Sequence, residues 1–179
     1  MKIKIFFSFL ICIAFLIGCS KEQTFEDFFH KSIDEMHLGE KDYSYSLVHK
    51  QMNVMHEHDA IAVFKENNAQ GKQIFIAYFE KENDKWEWKQ TRGAEWNTPV
   101  KWSSMNQVPY IYSGAISDNS ISEIYAGDEP AKIIKVEGDK RFWYAINDVK
   151  DIEVKVVKKD GAEEIIEEID QELLKEWDK

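Results

Sequence analysis

All five histidines fall between residues 30 and 58: His30, His37, His49, His56 and His58. Met52 and Met55 lie among them, giving His49-x-x-Met52-x-x-Met55-His56-x-His58. Imidazole nitrogen together with thioether sulfur is a donor set that copper accepts. On a strand, His56 and His58 would point to one face and could chelate together. Set against this, no third and fourth ligand follow at a diagnostic spacing. The plainer reading is half-exposed strand or turn histidines with packing methionines, and no dedicated metal site is expected.

Arg92 is one of only two arginines and stands at the mouth of an irregular segment. A guanidinium there could clamp a carboxylate with two parallel hydrogen bonds. More often it would pair with a nearby acid of the chain itself. The same segment carries Trp96 and Trp102, and an exposed tryptophan is a strong candidate for a binding contact. The plainer reading makes both of them core. Trp86 and Trp88 share a strand face and are expected in the core against an N-terminal helix. Trp143, between Phe142 and Tyr144, requires that its strand be covered on both faces or expose an aromatic platform.

Catalytic motifs are missing. There is no Gly-x-Ser-x-Gly elbow, no phosphate loop and no Gly-x-Gly. His56-Glu57 begins a zincin-like pattern, but Ala60 stands where the second histidine belongs. With 33 Asp and Glu, paired carboxylates carry no information. No catalytic residue is assigned, and the chain is not expected to be an enzyme. Two competing readings are a copper-type metal-binding lipoprotein using the His/Met cluster and a carboxylate-based hydrolase. The latter needs two carboxyls facing each other across a cleft.

The elements that position these residues follow from periodicity. Thr24 reads as an N-cap with Asp27 three residues on, and Phe25, Phe28, Phe29, Ile33 and Met36 recur at near-helical spacing. A helix is expected over about 24–38. From Tyr43 the period changes to two, and turn residues separate strands near 43–48, 61–65, 73–81 and 86–91. Residues 93–109 have no sustained period, yet Trp96, Val100, Trp102, Met105 and Val108 make them too apolar for a free linker. They are expected to form an ordered crossing with one tryptophan as a pin. Strands resume at 110–116, 121–125, 131–136, 141–146 and 152–158. The end favours a short strand at 162–166 and then a short helix, because Ile165, Ile169, Leu173 and Trp177 are four apart.

The expected fold is α+β, mainly antiparallel β: an N-terminal helix packed on an antiparallel meander (24–92), then the crossing (93–109), then a small β-sandwich-like unit with an acidic C-terminal segment (110–179). No parallel βαβ unit is expected.

Residues 1–18, MKIKIFFSFLICIAFLIG, carry two lysines and then an apolar run too short to span a bilayer. Leu16-Ile17-Gly18-Cys19 resembles a bacterial lipobox. The resemblance implies a signal peptide at 1–18, cleavage before Cys19, a diacylglyceryl group on its thiol, and a lipidated tether at 19–23. Cys12 leaves with the signal peptide, so the processed chain has neither a disulfide nor a thiol nucleophile. The runs Phe75 to Trp102 and Lys140-Arg141-Phe142-Trp143-Tyr144 resemble small uncharacterised lipoproteins of Bacillus-type bacteria, which implies location and no chemistry. The implied place is the extracytoplasmic face of the cell membrane, held by lipid; two or more acyl chains anchor durably. No cofactor is expected beyond the lipid on Cys19.

The chain has 179 residues, with 33 acidic against 23 basic side chains and a formal charge of −10. No basic stripe exists to neutralise phosphates, so a nucleic-acid partner is not expected. Hydrophobic residues at 44% are enough for a core without staples. The leading reading is a lipid-anchored extracytoplasmic protein with a non-enzymatic binding or envelope role, its protein or envelope partner unknown.

Overall fold

A computed structural model describes residues 23–94, 96 and 101–169. The signal peptide expected at 1–18, Cys19 and most of the expected tether lie outside the described residues, as do Val100 and the C-terminal helix expected through Leu173 and Trp177. Helix α1 (Phe25–Met36) and the β region from His37 onward are two compact units.

The N-terminus of α1 forms as its residue types require. Thr24 Oγ1 accepts from the backbone N–H of Asp27 at 3.1 Å. This is the N-cap bond that offsets one orphan donor of the first turn. Phe25, Phe29 and Ile33, spaced by four, are buried, while Met36 at the end of the stripe is exposed.

Among the described residues, the β unit contains three antiparallel four-stranded sheets. Sheet 1 is a meander of β1 (Ser44–Met52), β2 (Asp59–Asn68), β3 (Gly71–Glu82) and β4 (Lys85–Ala94), in that order. Its β3–β4 turn is Asn83-Asp84, both at positive φ, which matches the right-handed twist of the flanking strands. Sheet 2 joins β5 (Ser103–Ser104), β6 (Tyr110–Ile116), β9 (Lys132–Glu137) and β10 (Lys140–Asn147), ordered β5-β6-β10-β9. Sheet 3 joins β7 (Ile121–Ala126), β8 (Glu129–Pro130), β11 (Val154–Lys158) and β12 (Glu163–Ile166), ordered β12-β11-β7-β8. The chain therefore alternates between sheets 2 and 3 after Ser103.

Side-chain alternation makes sheet 2 a middle layer. Ile111, Ala115, Phe142 and Tyr144 pack with Ile61, Val63, Ile74, Ile76 and Tyr78 of sheet 1. Their neighbours Tyr112, Ile116, Trp143 and Ala145 pack with Ile121, Ile124, Val154, Val156 and Ile166 of sheet 3. Strands covered on both faces read as continuous apolar runs rather than alternating ones. That is why Phe142-Trp143-Tyr144 can stand in sequence with all three rings buried.

Three expectations change. The crossing at 93–109 is shorter, because β4 continues to Ala94 and β5 begins at Ser103. In place of a meander followed by a separate sandwich, sheet 2 is shared between two packed layers. His56 and His58 are not on a strand; they lie in the turn between β1 and β2, so they do not share a strand face. That turn is set by Asp59, whose carboxylate accepts from the backbone N–H groups of Val54, Met55 and His56 at 2.5, 2.8 and 3.3 Å.

Candidate functional site

Two hairpin ends, one from each of sheets 1 and 2, come together. The β2–β3 hairpin brings Lys65, Glu66 and Lys72, and the β9–β10 hairpin brings Glu137 and Lys140. Register does the positioning. Asn67 pairs with Lys72, and Glu137 pairs with Lys140 across a two-residue turn at Gly138-Asp139. Gly138 has φ of 56°, a conformation that costs other residues a steric penalty. Between the hairpins and the start of β1 lies an open cleft of about 280 Å³ with Trp96 at its base.

The charges in the cleft are arranged around one carboxylate. Lys65 Nζ is 2.7 Å from Glu137 Oε2, and Lys72 Nζ is 3.8 Å from Glu137 Oε1. Lys140 Nζ sits 5.1 Å from the centre of the Trp96 ring, within cation–π range. The hydrogen bond from Lys65, then its charge and those of Lys72 and Lys140, hold the Glu137 carboxyl below the usual carboxylate range.

Glu66 forms the second carboxyl of the cleft wall and is buried. The Tyr43 hydroxyl donates to Glu66 Oε1 at 2.7 Å. His37 stacks on the Tyr43 ring, with centroids 3.6 Å apart and planes 9° from parallel. Its Nε2 lies 3.6 Å from Glu66, and its Nδ1 lies 3.0 Å from Glu40. Burial, and then the hydrogen bond to Glu66, push the Tyr43 phenol far above its ordinary value. Two carboxyls thus line one cleft, from opposite sheets. A general acid needs its pKa raised toward neutrality, and Glu137 is displaced the other way.

The residues singled out from sequence are not brought together. His49 projects from β1 toward sheet 2, with Nε2 3.4 Å from the Tyr144 hydroxyl. That hydroxyl donates to Gln51 Oε1 at 2.8 Å, and Lys132 Nζ donates to the same oxygen at 2.9 Å. Burial, then the charge of Lys132, pulls His49 below its ordinary pKa. Met52, Met55, His56 and His58 are exposed. Among the described residues, no group of three His, Cys, Asp or Glu side chains is placed to hold a metal.

Arg92 closes the opposite seam between sheets 1 and 2. Its Nε donates to the Ser104 carbonyl at 2.8 Å and its Nη1 to the Thr91 carbonyl at 3.0 Å, so backbone oxygens occupy the fork. Trp102 is 8% exposed, and its indole N–H donates to the Ile166 carbonyl at 2.9 Å. Trp96 is 9% exposed and belongs to the core between sheets 1 and 2 while flooring the cleft. Of the three speculative binding residues, only Trp96 borders the cleft.

The lysine–glutamate cluster escaped sequence reading because Lys65, Lys72, Glu137 and Lys140 come from two hairpins far apart in the chain. The one available signal was that both hairpin ends carry lysine in an acidic sequence. No helix among the described residues is long and apolar enough to cross a membrane. No protein-family model matches the chain, and no similar curated protein or solved structure was found.

Proposed function

We propose that this chain is a lipid-anchored extracytoplasmic binding protein, tethered through Cys19, whose ligand site is the hairpin cleft between sheets 1 and 2. The observation that carries the binding role is the convergence, around one open cleft, of charged side chains from both sheets over the Trp96 ring. Pockets of this kind, an apolar wall with a few convergent polar groups, are the usual form of a small-molecule site. The lipobox-like Leu16-Ile17-Gly18-Cys19 supports the anchor. The role is non-enzymatic on this reading, which follows the lack of any recognised catalytic motif in the sequence.

Each half has its own test. Cys19→Ala releases the protein from membranes into detergent-free extract, or leaves it as uncleaved precursor without incorporated fatty acid. Full membrane retention with lipid still incorporated excludes Cys19 as the anchor. For the cleft, native mass spectrometry of protein purified from its own membranes reveals a small-molecule adduct that Trp96→Ala and Lys140→Ala lose. A bare wild-type mass under every purification condition counts against a ligand site.

A further inference from the structure

The cleft holds an anion of its own. Among the described residues, Glu137 is the carboxylate that Lys65 and Lys72 both reach, and Lys140 is close enough for its charge to act on it. In a chain of formal charge −10, three ammonium groups around one carboxylate run against the general balance. Glu137 also sits beside a two-residue turn, at the exposed end of β9, and no second acid competes for these lysines within ion-pair distance among the described residues. A carboxylate at such a position is held by charge and one strong hydrogen bond and is not locked by packing, so an equivalent carboxylate can replace it.

We propose that the cleft takes a sugar acid, a monosaccharide-sized ligand whose carboxylate displaces Glu137 from Lys65 and Lys72. The inference rests on the cleft being a ligand site, as proposed above. Volume sets the size: about 280 Å³ is just below the roughly 300–1,000 Å³ of pockets for drug-sized ligands. The rim sets the polarity. Ser44, Ser46, Asn67 and Gln73 border the cleft and offer hydroxyl and amide groups of both donor and acceptor type. The three lysines set the charge. Lys140, held over Trp96, presents an ammonium group above an apolar floor, where a charge-assisted bond is stronger than in open water. Glu137 then acts as a resident competitor, and ligand entry exchanges one carboxylate for another at the two lysines.

Isothermal titration with D-glucuronate, D-glucose and inorganic phosphate tests this on the lipid-free chain and on the detergent-solubilised lipidated chain. Glucuronate is expected to bind saturably and glucose is not. Glu137→Gln removes the competitor and tightens glucuronate binding by about tenfold, whereas Lys72→Met weakens it by about tenfold. Lys72 is 68% exposed, so its substitution leaves the melting temperature in place. Equal binding of glucose overturns the anionic class. Equal binding of phosphate overturns the sugar acid in favour of a bare oxyanion site. Absence of saturable glucuronate binding in Glu137→Gln overturns the proposal outright. In all three cases a co-purifying adduct lost in Trp96→Ala still upholds the cleft as a ligand site, so the two readings fail separately.

Discussion

Trp143 of β10 and Gly114 of β6 are register partners, and the indole occupies the space that a side chain at 114 would need. A Cβ on residue 114 would lie 2.8 Å from Trp143 Nε1 and 2.4 Å from the Lys101 carbonyl oxygen. One of those neighbours is backbone and cannot turn aside. Gly114→Ala is therefore expected to destabilise the chain by about 1–3 kcal/mol, the usual cost of overpacking. The midpoint of urea unfolding reads this directly. An unchanged midpoint would mean that the Lys101 carbonyl and the indole both shift at little cost.

Asp59 carries the β1–β2 turn. Its buried carboxylate accepts three backbone N–H groups and lies 3.2 Å from the Tyr78 hydroxyl. Asp59→Ala leaves the half-buried Val54 N–H without its acceptor, while water can replace the carboxylate at the exposed Met55 and His56, so a loss of about 1–3 kcal/mol is expected. Amide exchange at Val54 and Met55 should accelerate well before the rest of sheet 1. If exchange there rises only with global unfolding, the turn is held by something other than Asp59.

The His49 imidazole gives a pH dependence whose sign can be worked out. Its folded pKa is lowered, by burial first and then by Lys132. The unfolded chain therefore binds more protons near pH 6, and stability rises with pH through that window. Its contribution is complete above the ordinary pKa of about 6.5 and falls as pH drops through it. The loss levels off below the folded value. Thermal melts of His49→Gln should lack part of the decline that the parent shows between pH 7.5 and 5. Identical profiles would show that the imidazole escapes the Tyr144 contact when charged.

Sequence reading located nearly every strand, because turn residues punctuate a clear period of two. Tyr110–Ile116 was expected at the bounds observed, and Asn83-Asp84 turned β3 into β4 as their tolerance of positive φ allows. The shared middle sheet was less legible. The aromatic run 142–144 predicts either a strand covered on both faces or an exposed aromatic platform, and choosing between them depends on β5, β8 and the pairing of β6 with β10. The first two are two-residue strands with no period to detect, and the third is a non-local contact. The cleft was invisible for the same reason: its charges meet only after two distant hairpins are stacked. Arg92 and Trp102 stand out for their chemistry, yet Arg92 Nε and Nη1 donate to the Ser104 and Thr91 carbonyls and the Trp102 indole donates to the Ile166 carbonyl.

Trp102 ties the far end of the chain to the middle of it. Its N–H donates to Glu167 O at 3.2 Å, its carbonyl accepts from Ile169 N at 2.8 Å, and its indole reaches Ile166 O. Trp102→Ala is expected to cost about 3–5 kcal/mol. Limited proteolysis should then open the segment from Ile166 to Ile169 first. Protection of that segment in the variant would place its anchorage elsewhere.

Titration with copper or zinc is expected to reveal no stoichiometric site that depends on His56 and His58. His49 faces Tyr144 while the other two lie in an exposed turn, so three imidazoles do not converge. A sub-micromolar site lost in His56→Ala, His58→Ala would require that turn to rebuild itself around the metal.

The interleaving of sheets 2 and 3 bears on how the chain can be made. Synthesis from the N-terminus completes sheet 1 when Ala94 is added, but the layer beneath it then consists of nothing. β6 arrives next without its partner β10, and β10 arrives before β11 and β12 exist to shield Trp143 and Ala145. A stop before β10 leaves sheet 2 unfinished, and a stop just after Asn147 leaves it finished but without the β11 and β12 strands that cover its second face. A nascent chain halted there carries an uncovered aromatic sheet, the kind of surface that self-associates. The closing strand β12 adds the last cover to that face, since Ile166 joins the core under Trp143 and Ala145 only once β12 has paired with β11.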